Sequence, residues 1–346
     1  MRLLIVSDAW EPQINGVVRT YQHITAELRD MGHHVDVIGP DRFTSMPMPG
    51  YAEIRLSLFA AHKLTKLIDA FAPDAIHIAV EGPLGLAARR YCLRRNKPFT
   101  TSFHTQFPDY MAARVQFFGQ AVMRLVRRAA IAFVRYFHAP AQCIFVATPT
   151  LEDQLRDWGF KMPMVRLLRG VNFDIFYPDA PRLMTEHPKP VQLYVGRVSI
   201  EKNIEAFLEL PTPGTKIIVG GGPALESLKR KYPHAIFAGV QQGEELAAHF
   251  RSADVFVFPS KSDTFGIVLI EALACGLPVA GYDVMGPRDI LTEPFLGAVD
   301  DDLLAAVQCA LAAPGTPRER SAYAQSLYSW RAVAETFLEC AQNKKS

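Results

Sequence analysis

Short apolar runs alternate with helical segments along this chain, and the alternation occurs in two series. The first series of predicted strands is RLLIVSD, HHVDVIGP, DAIHIAV, PFTTSFH and CIFVATPT. After an irregular, proline-rich passage, the second series is VQLYVG, TKIIVGGG, HAIFAG, VFVFPS and LPVAGYD. Buried strands separated by helices are typical of parallel sheets covered on both faces. The sequence therefore predicts an α/β protein with two Rossmann-like, doubly wound domains that face each other across a cleft.

The length agrees with two domains. At 346 residues the chain is about twice the usual size of a single domain. We place the amino-terminal domain at residues 1–172 and the carboxyl-terminal domain at residues 178–325. The tail SLYSWRAVAETFLECAQ follows the last predicted strand. We therefore expect the tail, residues 326–346, to form one long amphipathic helix over 326–342 that packs back on the first domain.

Composition excludes several classes of protein. With 49% hydrophobic and 21% charged residues, the chain has the composition of a globular protein. It has no apolar run of about 18 residues, the length of a membrane span, and the apolar run before Asp8 is only four residues long, so we expect a cytoplasmic protein. The five cysteines never form a C-x-x-C pair, which predicts reduced thiols and disfavours a disulfide framework or a zinc site. We expect no cofactor.

Charge is distributed unevenly along the chain. The net charge is +2 overall, but it is +6 for residues 1–178 and −4 for the remainder. The amino-terminal half is therefore expected to face an anionic partner. We favour a membrane surface and expect no nucleic acid among the partners.

The loops that follow predicted strands contain candidate ligand-binding residues. Neither domain has the G-x-G-x-x-G fingerprint, which disfavours a dinucleotide-dependent oxidoreductase. Arg197 closes one strand, and Lys202 lies five residues later at the start of the next helix. Two cations at the positive end of a helix dipole suit a diphosphate. Two solvated surface side chains remain the alternative.

The stretch SDTFGIVLIEALACG has a carboxylate at each end of a run that is typical of a buried helix. Asp263 follows a predicted strand, and Glu271 lies eight positions later. The amides of Phe265, Gly266 and Ile267 begin the predicted helix and are suited to bind a phosphate. Asp263 is equally suited to cap the helix, and Glu271 to be an ordinary surface acid, so both interpretations stay open.

These segments resemble a known family. GRVSIEKN, FAGVQQGEELAAHFRSADVFVFPS and SDTFGIVLIEALACGLPV, in this order, resemble the retaining nucleotide-sugar glycosyltransferases of family 4, which have the GT-B fold. NGVVRT and SFHTQFPDY look like acceptor-domain motifs of the same family, so the resemblance covers essentially the whole chain. The chain looks most similar to bacterial lipid glycosyltransferases of the diacylglycerol type and to related mannosyltransferases.

The resemblance implies roles for residues of the second domain. Glu271 is implied to bind the ribose hydroxyls of the donor nucleotide, a task that suits a carboxylate. Asp263 is implied to contact the donor sugar, although the family has glutamate at this position. Arg197 and Lys202 are implied to hold the diphosphate and to stabilise the leaving charge without a metal. Val240 lies where the family recognises the base.

The resemblance also implies roles for residues of the first domain. His104 is implied to face the donor sugar, although a lone histidine is more often a satisfied core or surface residue. Gly16 matches one glycine of the family's glycine pair, which contacts the phosphates, and Asn15 takes the place of the other. Asp109 is a candidate acceptor-side carboxylate, with an exposed loop acid as the alternative.

A metal site is disfavoured. Asp300 and Asp302 have the acid-x-acid spacing that metal-dependent glycosyltransferases of the other main fold use. These acids open a predicted helix, however, where carboxylates stabilise the helix dipole without a metal. We expect a metal-independent enzyme.

Residues 111–138 combine a helical period with arginines near one face. Such a stripe, bordered by aromatic and aliphatic residues, can lie on anionic lipid. A core helix whose arginines face water is the alternative. The arginines are Arg114, Arg124, Arg127, Arg128 and Arg135.

The resulting hypothesis is a retaining glycosyltransferase on the inner face of the cell membrane. It transfers a hexose or hexuronic acid from a nucleoside diphosphate sugar, with UDP favoured, to a lipid such as diacylglycerol. A GDP-mannose-dependent mannosyltransferase, or a transferase acting on a soluble or polysaccharide acceptor, remains open. So do a sugar-nucleotide epimerase or hydrolase, and a non-catalytic protein that binds a sugar nucleotide or a lipid.

Overall fold

The structure is a computed structural model of the chain. It describes residues 1–342 apart from 12, 14, 49–50, 105–107, 109–118, 182–185 and 264. The chain forms two compact units, one of Met1–Leu168 with Trp330–Ser346 and one of Arg169–Ser329.

The first unit is built on a parallel sheet of six strands. Its strands, with a separate antiparallel hairpin of β3 and β4, are β1 (Arg2–Val6), β2 (His34–Ile38), β3 (Ser45–Met48), β4 (Tyr51–Ser57), β5 (Ala75–Ile78), β6 (Phe99–Ser102), β7 (Ile144–Val146) and β8 (Met164–Arg166). The order in the sheet is β2-β1-β5-β6-β7-β8. The described helices between these strands are α1 (Gly16–Asp30), α2 (Ala60–Phe71), α3 (Pro83–Arg94), α4 (Gln120–His138) and α5 (Pro149–Asp157).

The second unit has its own six-stranded parallel sheet. Its strands are β9 (Val191–Val195), β10 (Thr215–Val219), β11 (Ile236–Gly239), β12 (Val255–Phe258), β13 (Val279–Tyr282) and β14 (Gly297–Asp300), in the order β11-β10-β9-β12-β13-β14. Its described helices are α6 (Ile204–Leu208), α7 (Leu225–Lys231), α8 (Gly243–Ser252), α9 (Ile267–Ala274), α10 (Pro287–Ile290), α11 (Leu303–Leu311) and α12 (Pro317–Leu327).

Each sheet has one point at which the strand order reverses. In the first unit the reversal lies between β1 and β5, and in the second it lies between β9 and β12. Ligands of open parallel sheets bind beyond the carboxyl ends of the strands at such a point. The loops after these four strands are therefore where functional side chains are expected.

The final helix, α13 (Trp330–Gln342), completes the core of the first unit. Phe337 is fully buried and stacks on Phe145 of β7 with ring centroids 5.3 Å apart. Trp330 stacks on His23 of α1 at 4.4 Å. Full burial of such a side chain contributes about 1.5–3 kcal/mol, so α13 supplies a substantial part of this core.

The tail departs from the predicted single helix over 326–342. Helix α12 ends at Leu327, and α13 begins at Trp330. The backbone N–H of Val171 donates to the carbonyl of Tyr328 at 2.8 Å, and Val171 forms a parallel bridge with Ser329. Tyr328 is the C-cap of α12, with φ of −115° and ψ of 41°, and Ser329 forms the bridge, so the helix is interrupted at these two residues.

Two cysteines differ from the expectation that all five are reduced. Cys143 and Cys340, which are 197 positions apart, form a disulfide in the structure. Helix α13 brings Cys340 against the residue that precedes β7, a proximity that the sequence spacing does not show. Cys92, Cys275 and Cys309 are free thiols.

Candidate functional site

The strand reversal of the second unit brings together two of the predicted residues. Lys202 ends a short 3₁₀ turn after β9, and Asp263 lies in the loop after β12. The Nζ atom of Lys202 donates to Oδ1 of Asp263 at 2.5 Å. Each side chain keeps 23% of its surface exposed. A cation and a carboxylate therefore lie next to each other where this fold binds ligands.

The loop after β9 is held from two sides. Asn203 donates its side-chain amide to the carbonyl of Pro259 at 3.1 Å, which ties the loop to the end of β12. Tyr194, inside β9, donates its hydroxyl to the carbonyl of Arg197 at 2.9 Å. The Arg197 side chain lies on the exposed surface of this loop. The backbone of the loop is thus held in place, while the Arg197 side chain is exposed.

Tyr194 lies beside this site and was not predicted from the sequence. Burial raises the pKa of its hydroxyl, and the negative charges of Asp263 and Glu201 raise it further. The phenol therefore stays protonated at neutral pH and remains a hydrogen-bond donor. The sequence signal that could have identified it is a tyrosine inside the predicted strand VQLYVG.

Glycines bring the backbones of neighbouring loops into contact. Gly220 has φ of +140°, and a Cβ atom there would lie 1.9 Å from the carbonyl oxygen of Gly196. A Cβ atom on Gly221 would lie 3.0 Å from Cγ2 of Val240. Val240 is 66% exposed. The loops after β9, β10 and β11 therefore form one continuous surface, with Val240 at the end nearest β11.

The structure excludes the alternatives in which Asp263 caps α9 and Glu271 is an ordinary surface acid. Its N-cap is Gly266, in left-handed backbone with φ of +86°, so Asp263 is not the cap. Phe265 is buried before the cap, and Ile267 is the first helical residue. Glu271 is only 7% exposed, so it is not an ordinary surface acid. The Oδ2 atom of Asp263 is buried without a hydrogen-bond partner among the described residues.

A buried polar cluster surrounds His104 in the first unit. His104 lies two residues after β6 and is 9% exposed. The hydroxyl of Tyr21 lies 2.9 Å from its Nε2 atom, 2.7 Å from Nε2 of His77 and 2.8 Å from Oγ of Ser102. Nδ1 of His77 lies 2.9 Å from Oγ1 of Thr100. Sequence reasoning identified only His104 in this cluster.

His77 is neutral in this cluster. Burial, together with the nearby His138, lowers its pKa to about 3. His138 has partners of its own, with Nδ1 2.9 Å from Oγ1 of Thr101 and Nε2 3.0 Å from Glu81.

Asn15 has a structural role that explains its presence beside Gly16. Its Oδ1 atom accepts hydrogen bonds from the backbone amides of Val17 and Val18, each at 3.0 Å. It is therefore the N-cap of α1, and Gly16 is the first helical residue. Asparagine is among the residues preferred at this position, and its cap contributes about 1 kcal/mol.

Asp8 is another residue that was not predicted from the sequence. It follows β1, and its two carboxylate oxygens accept from the amides of Leu84 and Gly85 at 2.9 Å each. These amides begin α3, on the far side of the strand reversal. Burial raises the pKa of Asp8 to about 6, against the lowering effect of the two hydrogen bonds.

Helix α4 exposes two adjacent stripes. Arg124, Arg128 and Arg135 are exposed, at intervals of 4 and 7 residues. The exposed apolar side chains beside them are Val122 (38%), Leu125 (68%) and Tyr136 (59%). The opposite face is buried at Val134 and Phe137.

Arg127 does not belong to this basic stripe. It is half-buried, and its guanidinium lies 5.6 Å from the ring centre of Trp158. This ring contact directs the Arg127 side chain away from the exposed basic stripe. Asp109 and Arg114 lie outside the described residues.

The acidic run has a structural explanation. Asp302 is the N-cap of α11 and accepts from the amide of Leu304 at 3.0 Å. Asp300 accepts from the amide of Asp302 at 2.8 Å. Within the described part of the chain, no group of three or more His, Cys, Asp or Glu side chains could hold a metal ion.

These features define a class of protein. Two doubly wound parallel sheets, one with a lysine and a carboxylate at its strand reversal, are typical of enzymes that bind phosphorylated or nucleotide ligands. None of the helices in the described part of the chain is long and apolar enough to cross a membrane.

Comparison with known proteins identifies the family. Residues 14–175 match Glycosyltransferase Family 4, and residues 180–324 match Glycosyl transferases group 1. The GDP-mannose-dependent alpha-mannosyltransferase of Mycobacterium tuberculosis is 30% identical over 324 residues, which cover 86% of this chain and 83% of that protein. The alpha-monoglucosyldiacylglycerol synthase of Streptococcus pneumoniae is 24% identical over 355 residues, covering 90% and 79%. The chain belongs to glycosyltransferase family 4.

The fold comparison agrees with this assignment. The sucrose-phosphate synthase from Thermosynechococcus elongatus superposes with a TM-score of 0.75 at 22% identity, covering 98% of this chain and 97% of that one. The predicted GT-B fold and the predicted family are therefore confirmed. The protein is a hexosyltransferase that uses a sugar-nucleotide donor.

Proposed function

We propose that this protein is a retaining, metal-independent transferase that glycosylates a membrane lipid such as diacylglycerol. In this proposal the donor carries a hexose or hexuronic acid on a nucleoside diphosphate, with UDP favoured, and the product is an α-glycoside. The observation that carries the lipid acceptor is the exposed face of α4. The relative from Streptococcus pneumoniae, by its name, makes a glycolipid of this kind.

The two stripes of α4 suit the surface of an anionic bilayer. Arg124, Arg128 and Arg135 attract anionic head groups, each contributing about 1 kcal/mol near the surface. Leu125 and Tyr136, 68% and 59% exposed, can enter the interfacial layer beside them. Such a helix lies on the membrane without crossing it, which favours peripheral association with the inner face of the cell membrane.

A cavity extends the basic stripe at the end of α4. It has a volume of about 570 Å³ and is lined by Arg135, Tyr136, Phe160, Lys161 and Met162 among others. The positive charges of Arg135 and Lys161 can attract an anionic lipid head group. The apolar side chains of the lining can contact the hydrocarbon part of the same lipid. The proposed lipid-binding surface is therefore concave at the carboxyl end of α4.

The donor is proposed to bind at the strand reversal of the second unit. Arg197 and Lys202 hold the diphosphate, and the amides of Phe265, Gly266 and Ile267 add donors at the start of α9. Glu271 accepts from the ribose hydroxyls, and the backbone at Val240 contacts the base. From the first unit, Gly16 contacts the phosphates, and His104 faces the sugar. Asp263 accepts from a sugar hydroxyl.

The transfer is proposed to occur on one face of the sugar. The bond from C1 to the diphosphate oxygen breaks, and its electron pair leaves on that oxygen. The acceptor oxygen bonds to C1 on the same face, and its proton passes to the departing phosphate oxygen. Lys202 and Arg197 stabilise the negative charge as it develops, which is worth most in a fixed site. The α-configuration of the donor is retained.

A GDP-mannose donor is the second candidate. It is favoured by the 30% identity with a protein named as a GDP-mannose-dependent mannosyltransferase. The same cations would hold the diphosphate of this donor. A transferase that acts on a soluble or polysaccharide acceptor in place of the lipid is a separate alternative.

A turnover screen tests the proposal. Purified protein is given UDP-glucose, UDP-galactose, UDP-glucuronate or GDP-mannose, with and without diacylglycerol in anionic vesicles and with EDTA throughout. We expect nucleotide release that requires the lipid and yields an α-linked glycolipid. Lys202→Ala should lower this rate by about 100-fold, which is the loss of a charge-assisted contact. Lys189→Ala is the matched control, because Lys189 pairs with Asp254 at 2.8 Å in the same unit.

The other outcomes separate the rival functions. Release without lipid would favour a hydrolase, and interconversion of the sugar without transfer would favour an epimerase. Turnover only with GDP-mannose would favour the second candidate. Donor binding without turnover on lipid or soluble glycans would favour a non-catalytic binding protein.

A further inference from the structure

We infer that Tyr21 is a positioning residue, which holds the ring of His104 and determines which ring nitrogen carries the proton. The inference rests on the proposed function in one respect, because it takes His104 as the side chain that faces the donor sugar. Tyr21 itself is fully buried and is not proposed to touch any substrate.

Tyr21 connects three elements through one hydroxyl. It lies on α1, and its partners are His77 of β5, Ser102 of β6 and His104 just after β6. The three distances are 2.7, 2.8 and 2.9 Å. The rings of Tyr21 and His104 also meet edge to face, with centroids 5.5 Å apart. The His104 ring is therefore fixed by both a hydrogen bond and an aromatic contact.

The hydrogen-bond capacity of the phenol assigns the protons. A tyrosine hydroxyl donates one hydrogen bond and accepts two. Tyr21 donates to Oγ of Ser102, so the Nε2 atoms of His77 and His104 both donate to the phenol oxygen. His77 then accepts at Nδ1 from the hydroxyl of Thr100, 2.9 Å away. The same assignment places a proton on Nε2 of His104.

The neutral state of His77 agrees with this assignment of the ring protons. His77 is 2% exposed, and its burial lowers its pKa to about 3. With a single ring proton, it cannot donate at both nitrogens. Donation therefore runs from Thr100 to His77 and from His77 to Tyr21, meets the donation from His104 at the phenol oxygen, and continues from Tyr21 to Ser102.

This arrangement has a consequence for sugar transfer. A histidine ring that rotates samples geometries in which it cannot meet a sugar hydroxyl, and a misplacement of about 1 Å can cost roughly 100-fold in rate. Tyr21 removes that freedom from His104 before the donor arrives. We expect its effect to appear mainly in kcat, because it orients a group and adds no contact to the donor.

A double-mutant cycle tests whether Tyr21 acts through His104. Tyr21→Phe keeps the buried ring and removes only the hydroxyl. In the otherwise unchanged protein it should lower kcat by about 10- to 100-fold, with the KM for the donor changed by less than about threefold. In a His104→Ala background the same substitution should change kcat by less than about twofold. Equal losses in the two backgrounds would show a merely structural role and overturn the inference.

Thr101→Val is the matched control. Thr101 is fully buried, and its hydroxyl lies 2.9 Å from Nδ1 of His138, so the variant also breaks a buried hydrogen bond to a histidine in the same sheet. It should lower the melting temperature as Tyr21→Phe does and leave kcat unchanged. Should Tyr21→Phe fail to fold, Ser102→Ala replaces it in the cycle, since it removes the acceptor that directs the Tyr21 proton.

Imidazole NMR separates failure of this inference from failure of the proposed function. The ¹⁵N shifts of His104, identified by their loss in His104→Ala, should report a proton on Nε2 in the unchanged protein and a mixture of tautomers in Tyr21→Phe. Unchanged His104 shifts in Tyr21→Phe would overturn the inference, whatever the enzyme turns over. Transfer of no sugar, or full turnover by His104→Ala, would instead overturn the proposed function, and the spectra would still decide the role of Tyr21.

Discussion

The basic stripe of α4 predicts how tightly the protein binds an anionic membrane. Replacement of Arg124, Arg128 and Arg135 by glutamine removes three exposed cations and leaves the buried face of the helix unchanged. Each cation contributes about 1 kcal/mol near an anionic surface. The triple variant should therefore lose about 3 kcal/mol, which corresponds to binding weakened roughly 150-fold.

Co-sedimentation with lipid vesicles measures this loss. Vesicles rich in phosphatidylglycerol are compared with neutral phosphatidylcholine vesicles at low and high salt, because screening reduces the contribution of the cations. A control variant replaces Lys229, Arg230 and Lys231 of α7 by glutamine and loses the same net charge. It should bind the anionic vesicles as the unchanged protein does.

The apolar stripe predicts a different signature. Leu125→Gln removes the most exposed apolar side chain of this face, at 68% exposure. Its effect should persist at high salt, where the effect of the arginines fades. The reasoning is refuted if the arginine triple variant binds anionic vesicles within about twofold of the unchanged protein, or if the α7 control loses as much affinity.

Three further predictions concern the donor site, pH and the thiols. Glu271→Ala should weaken nucleoside diphosphate binding by about 1.5–3 kcal/mol in calorimetry, since hydrogen bonds to a carboxylate are lost, whereas Glu293→Ala on the exposed surface should not. Because burial lowers the pKa of His77 from 6.5 to about 3, the stability it confers is present above pH 6.5 and is lost as pH falls through that window. Urea unfolding of His77→Gln should thus show less acid destabilisation, by up to about 5 kcal/mol, and parallel pH curves would contradict this. Thiol titration of the denatured, unreduced protein should find three free cysteines, and five would contradict the Cys143–Cys340 pairing.

The fold could be predicted from sequence wherever strands are buried on both faces. All ten predicted runs contain a strand, because a parallel strand between two helical layers is buried on both faces and is mostly apolar. In β6 (FTTS) the buried polar side chains are hydrogen bonded instead. Strands β8 and β14 were not predicted, since MVR and GAVD each end at a charged residue and their apolar part is short. The hairpin of β3 and β4, which lies outside both sheets, was not predicted either.

The candidate site was predictable only in part. Lys202 and Asp263 were identified because each follows a strand, and parallel strands end at one edge of the sheet. Tyr21 was not identified, because it occupies a core position of a helix and its contact with His104 spans 83 positions. Side-chain contacts across such separations depend on the packed fold. No local pattern in the sequence encodes them.

The return of α13 to the first unit has a consequence for biosynthesis. The core of that unit includes Trp330, Val333 and Phe337, which follow the whole of the second unit in the sequence. The second unit, Arg169–Ser329, is continuous in sequence and has all its strands before the tail is made. Although it is translated later, it can fold on the ribosome first, while the earlier unit waits with part of its core uncovered. A chain shortened at residue 329 would therefore damage the unit at the opposite end of the sequence.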